Sequence, residues 1–247
     1  MKSKYPSRFI LTLAACLVGC LATNTAFAYE AGDLFVRVGL ANVSPDETSD
    51  GIAIPALGIT PIAGTGAEVD LNNQLGLTVN YMLSSSFGVE LLASTPFTHD
   101  VTANLNGYAA GLKVAAGSVK QLPPTLSVVY YPMGNSSSAW QPYAGLGVNY
   151  TIFFKEKTNT ELEALTGTLA GAAGPVPLDL KVDNSVGLAW QVGLDYKMTD
   201  KWSLNGAVRW IDIKTDAVFT SSLGDTIRVN NIDLSPVVYQ LSVGYTY

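Results

Sequence analysis

Between Val186 and Tyr196 the chain alternates without a break. Val186, Leu188, Trp190, Val192, Leu194 and Tyr196 take one side, and Gly187, Ala189, Gln191, Gly193 and Asp195 the other. A period of two belongs to a β-strand, whose successive side chains point to opposite faces, and not to a helix with its 3.6 residues per turn. Segment 237–247 repeats the pattern, with Val237, Tyr239, Leu241, Val243, Tyr245 and Tyr247 on its apolar face. So does the segment opening at Leu34, where Leu34, Val36, Val38 and Leu40 oppose Phe35, Arg37, Gly39 and Ala41. Similar runs cover 73–82, 87–96, 122–131, 140–154 and 202–213, which makes eight strands. Past the N-terminal region nothing approaches the roughly 18 uninterrupted apolar residues of a helical membrane span. Segment 51–67 is apolar but broken by Pro55, Pro61 and several glycines, and is expected to be a loop.

The connections fall into two classes. Leu83–Ser86, Pro132–Ala139 and Lys197–Lys201 are short and polar, whereas 44–72, 97–121, 155–185 and 214–236 are long. An even number of strands, with short turns at one end and long loops at the other, predicts an all-β, eight-stranded antiparallel up-and-down transmembrane β-barrel. Its turns and both termini would face the periplasm, and its four long loops the outside. Tyr81, Tyr130, Tyr131, Trp140, Tyr196, Trp202, Tyr245 and Tyr247 gather near the turn ends, as an interfacial aromatic girdle requires. A soluble eight-stranded barrel would turn its apolar face inward and carry charge on the alternate face. Here that face is mostly Gly, Ser, Thr, Asn and Ala, which suits a tight interior instead.

Composition agrees. Only 14% of the 247 residues are charged, with a formal net charge of −6, against roughly 25% in ordinary soluble proteins. A weakly acidic chain lacks the basic face that nucleic acid demands, so none is expected as a partner. One histidine and two cysteines leave little for a metal or redox centre, and no cofactor is expected. Lys2, Lys4 and Arg8 precede an apolar run from Phe9 to about Ala22, and Ala26-Phe27-Ala28 has the form of a signal-peptidase site. Residues 1–28 therefore read as a secretory signal and 29–247 as a single barrel domain. Leu17-Val18-Gly19-Cys20 also resembles a lipoprotein box, which leaves lipidation at Cys20 as an alternative; both exported forms leave no disulfide within the barrel.

A barrel of eight strands has room for its own side chains or one small ligand, not for a wide aqueous pore. Inward parity collects Arg37, Glu90, Asp195 and Arg209 in its lower part, with Gln240 also inward. Opposite charges confined there must pair, because an unpaired buried charge is costly, so a polar plug is expected. Higher up, the inward positions turn apolar at Leu92, Phe153, Ile211 and Ile213, an expected ligand funnel. Pro96 on the third strand and Pro123 and Pro124 on the fourth fall at about the same height. Proline donates no ladder hydrogen bond, so these three mark either the ends of two strands or a lateral exit through the wall. Thr160 and Glu163 stand at capping-box spacing and predict a short helix over Thr160 to Ala172. His99, beside Asp100 and near Ser94, is the one site that invites catalysis. Continued alternation would set Ser94 and His99 on opposite faces, so no catalytic residue is expected.

Several of these segments also resemble a known family. Asn73-Gln74-Leu75-Gly76-Leu77-Thr78, Gly88-Val89-Glu90-Leu91-Leu92-Ala93 with Thr95-Pro96-Phe97, Leu122-Pro123-Pro124-Thr125-Leu126, Tyr143-Ala144-Gly145 through Asn149-Tyr150-Thr151, Gln191 to Tyr196 and the terminal Tyr247 are similar, in their order, to the OmpW family. The loops 44–72 and 155–185 are longer and more apolar than that resemblance leads one to expect. It implies an outer-membrane eight-stranded barrel related to AlkL-like hydrophobic-uptake proteins. The expected function is passive uptake of small hydrophobic molecules through the funnel and the lateral exit, in a monomer surrounded by outer-membrane lipid and lipopolysaccharide. The alternative is a non-transporting surface barrel whose long loops bind a host, phage or envelope partner.

Overall fold

A computed structural model describes residues 28–44, 48–54, 60–69 and 72–247. Residues 1–27 of the predicted export signal, Cys20 included, and Pro55 lie outside the described residues. In chain order the elements are β1 (Leu34–Ser44), β2 (Gly66–Val69), β3 (Asn72–Met82), β4 (Phe87–Ser94), β5 (Phe97–Asn104), β6 (Lys113–Leu122), β7 (Thr125–Tyr130), β8 (Trp140–Thr158), α1 (Thr160–Leu169), β9 (Leu178–Val182), β10 (Ser185–Lys197), β11 (Trp202–Ile211), β12 (Lys214–Ser221), β13 (Thr226–Asp233) and β14 (Val237–Thr246).

Eight of these close on themselves. The order β1–β3–β4–β7–β8–β10–β11–β14 is antiparallel throughout, and β14 returns to β1 with Phe35 opposite Thr246 and Ser44 opposite Val237. Closure leaves no exposed edge, which is what a sheet in hydrocarbon requires. The face that is apolar in sequence points outward: Leu146 is 73% exposed and Leu241 67%, while the alternate positions Arg37, Thr78, Asn80 and Glu90 are buried. In water such a surface would aggregate; against lipid it is the favourable arrangement.

At the loop end the polarity inverts. β5, β6 and the upper half of β8 continue one wall, with β2 at the edge of β5, while β9, β12 and β13 form a separate three-stranded sheet. In these strands the apolar residues face in and the polar ones out: Phe97, Val119, Leu180 and Phe219 are buried, whereas Thr98, Asp100, Asp179 and Thr220 are exposed. The segments 97–121 and 214–236, expected as loops, are therefore hairpins whose outer face is wet. Several boundaries also move, β8 running on to Thr158 and β11 stopping at Ile211. The strand expected over 87–96 stops at Ser94, and that expected over 122–131 divides, Leu122 closing β6 and Thr125 opening β7. The helix ends at Leu169, and its cap is Asn159, whose side chain accepts from Glu161 N at 2.9 Å, one residue before Thr160.

Candidate functional site

The turn end of the barrel is filled. Tyr29, ahead of the first strand, stacks on Phe35 at 5.1 Å and meets the ring of Tyr131 edge-on at 4.9 Å. Tyr131 was expected in the outer girdle, but it lies one residue past β7 and turns fully inside, so it belongs to this floor. Tyr143 completes the layer 5.2 Å from Tyr131. It folds across the lumen because its neighbour is Gly193; a Cβ there would sit 2.3 Å from the ring carbon Cζ.

Above the aromatic floor the four inward charges meet. Arg37 binds Glu90 through Nη1 at 2.6 Å and grips Asp195 with Nε at 3.0 Å and Nη2 at 2.6 Å. Arg209 reaches Glu90 at 3.3 Å and donates to Gln191 at 2.7 Å and Gln240 at 2.5 Å. Two cations thus face two anions. The same two oxygens of Asp195 also accept from Tyr29 at 3.0 Å and Asn205 at 2.8 Å, so both carboxylates are hydrogen-bonded on each oxygen and the four charges balance. Arg37 also packs against the rings of Phe35 and Tyr143, so charge and aromatic layers together bury one another in the lower lumen. Gln191 and Asn205 stood on inward parity and were legible as members. Tyr29 was not, since it precedes any alternating run.

Higher in the barrel Leu92, Ile211 and Ile213 are buried together around a cavity of about 20 Å³, which Val43, Phe97, Gln121 and Pro123 also border. Phe153 is not among them. It lines a second, larger chamber of about 280 Å³ between the two upper sheets and α1, with Val119, Leu162, Leu180, Phe219, Val229 and Leu234. Most of this lining comes from β2, β5, β6, β9, β12 and β13, strands that were not predicted, and from α1, which was. At its rim Glu68 accepts from Lys113 at 2.6 Å, and that hydrogen bond holds its carboxyl below the ordinary carboxylate range.

The prolines flank an interruption in the wall. Pairing of β4 with β7 ends at Leu92 opposite Thr125, and pairing of β5 with β6 resumes at Phe97 opposite Gln121. Between these points lie residues 93–96 on one side and 122–124 on the other, with no ladder joining them. Each side is tied to its outer neighbour instead: Thr95 N donates to Leu75 O at 3.0 Å, and Tyr150 N to Pro124 O at 3.0 Å. The break also resets the alternation, so that Ser94 and His99 both point inward rather than to opposite faces. They do not form a catalytic pair. The Ser94 hydroxyl has no hydrogen-bond partner, His99 Nε2 meets Gln121, and Asp100 is exposed. Among the described residues no group of His, Cys, Asp or Glu is arranged to hold a metal ion.

The model of the OmpW family matches residues 30–247. Outer membrane protein W of Escherichia coli (strain K12) is 39% identical, over 96% of this chain and 99% of its own. Outer membrane protein AlkL of Ectopseudomonas oleovorans is 28% identical, over 73% of this chain and 70% of its own. The crystal structure of the outer membrane protein OprG from Pseudomonas aeruginosa superposes with a TM-score of 0.78 at 37% identity, covering 90% of this chain and 99% of that one.

Proposed function

The chain belongs to the OmpW family and is an outer-membrane β-barrel; from that premise we propose that it is a passive conduit for small hydrophobic molecules. Its short turns face the periplasm and its upper sheets the outside. A guest enters the upper chamber, descends past Phe153 to Leu92, Ile211 and Ile213, and leaves sideways between residues 93–96 and 122–124 into lipid.

The observation that carries this reading is a small apolar cavity between a closed ion-paired floor and a larger apolar chamber, bordered by the interrupted stretch of ladder through Ala93, Ser94 and Pro123. A guest held there cannot continue along the axis, because the plug would have to give up two ion pairs to admit it. Unpaired backbone is tolerated at membrane depth only against protein or a cavity, and the lower cavity lies behind this stretch of wall. The driving force is transfer of apolar surface from the hydrated outer layer into the bilayer, with no energy input. At about 20 Å³ the lower cavity is closed to a chain at rest, so side chains at the neck, Phe97 among them, must swing aside for each passage.

Leu92→Arg tests the proposal. Leu92 is buried beside Ile211 and Ile213, and an arginine there sets an uncompensated charge in the neck. In cells or proteoliposomes, uptake of a small apolar tracer should fall to that of membranes lacking the protein, while heat-modifiable gel migration shows a folded barrel. Wild type that admits no more tracer than empty membranes would overturn the conduit and favour recognition of a partner by the upper sheets.

A further inference from the structure

The neck is apolar except at one place. Ser94 Oγ and Gln121 Oε1 are both buried without a hydrogen-bond partner, and both residues border the lower cavity. The other end of the Gln121 amide is held 3.1 Å from His99 Nε2. Turning the amide over changes which atom meets the ring, not the count: one polar atom is always left over. Buried polar groups in native proteins are satisfied with few exceptions, so a pair of orphans beside one cavity calls for a ligand.

The shape of the site defines that ligand. About 20 Å³ holds a single oxygen but not a hydrocarbon chain. A hydroxyl can serve both orphans, accepting from Ser94 and donating to Gln121. A carboxylate cannot be served in the same way, since no lysine or arginine borders this cavity. Phe153, which pairs with Gln121 across β6 and β8, lines the chamber of about 280 Å³, and that chamber offers aliphatic and aromatic walls to a tail.

We propose that the preferred guests are amphipaths with one neutral hydroxyl on an apolar tail, the hydroxyl docking on Ser94 and Gln121 beside the wall interruption while the tail fills the upper chamber. This deepens the conduit reading and rests on it for transport, though not for binding. Bare hydrocarbons of the same length leave both orphans unpaired and are admitted less readily. A site built around hydrogen bonds discriminates against analogues that lack the bonding group.

The binding arm uses the purified protein in lipid nanodiscs, titrated with 1-octanol or octane at matched loading in the lipid. The Gln121 side-chain amide resonances should move saturably with octanol and stay still with octane, and Ser94→Ala should weaken the octanol response by about tenfold. The transport arm compares initial uptake of the two tracers by cells carrying wild type or the Ser94→Ala/Gln121→Leu variant. Wild type should favour the alcohol over the alkane by roughly tenfold above the background of cells without the protein. The folded variant should lose that preference. An amide that ignores octanol, or that answers both compounds alike, overturns the proposal, as does an unchanged preference in the variant. Alcohol-specific shifts without uptake of either tracer would sink the conduit and keep the hydroxyl site; equal uptake of both with a silent amide would do the reverse.

Discussion

Zipping the wall should abolish uptake. Prolines account for only half of the interruption, because four residues, 93–96, face three, 122–124, between the two points where pairing holds. Replacing Pro96, Pro123 and Pro124 by valine restores the missing N–H donors but leaves the extra residue as a bulge. Deleting Thr95 as well brings the strands into one register from Leu92–Thr125 to Phe97–Gln121. The expected results are therefore graded: a partial fall in tracer uptake with the three valines, and a fall to the level of empty membranes when the deletion is added. Amide hydrogen exchange supplies the structural control, since residues 93–94 and the valines at positions 123 and 124 should be better protected with the deletion than with the three valines alone. A zipped, folded barrel that still passes tracer at the wild-type rate would place the exit elsewhere.

The same segment shows where the sequence was legible and where it was not. Alternation is a local property, and it located all eight barrel strands because each faces lipid on one side and a small polar interior on the other for its full span. It was read for one polarity only. In β5, β6, β9 and β12 the period is the same, but apolar residues such as Phe97, Val119, Leu180 and Phe219 face in, so these strands passed for loops. The height at which polarity inverts is the height at which the outside changes from hydrocarbon to water, a property of the surroundings that no short window contains. Ser94 and His99 failed for a related reason. Parity carries a residue's direction along an unbroken strand, and the break at Thr95–Pro96 reverses it. The Arg37, Glu90, Asp195 and Arg209 cluster was readable because four charges on inward parity must meet somewhere in a narrow lumen. Its aromatic floor was less so, since Tyr29 and Tyr131 lie outside any strand and reach the lumen through tertiary packing.

Arg37 offers the largest stability effect. Its guanidinium is fully buried between Glu90 and Asp195, and Arg37→Met leaves Asp195 with only the neutral donors of Tyr29 and Asn205. Removing one member of a buried ion pair costs about 3–5 kcal/mol, because the remaining charge keeps its desolvation penalty without its partner. The urea midpoint of the refolded barrel, followed by tryptophan fluorescence, should drop accordingly. Neutralising the second charge should recover most of that loss. In Arg37→Met/Asp195→Asn the Glu90–Arg209 pair remains, the interior is again neutral, and the new amide can accept from Asn205 through its oxygen while its NH2 group donates to the Tyr29 hydroxyl. Replacing both partners of a buried pair is often close to neutral, so the double variant is expected within about 2 kcal/mol of wild type. The opposite ordering, with the double variant less stable than the single, would mean that the cluster supports the barrel through the shape of its hydrogen bonds rather than through its balance of charge. Tracer uptake separates the plug from the conduit: with entry and exit both above the plug, the folded double variant should carry tracer at the wild-type rate.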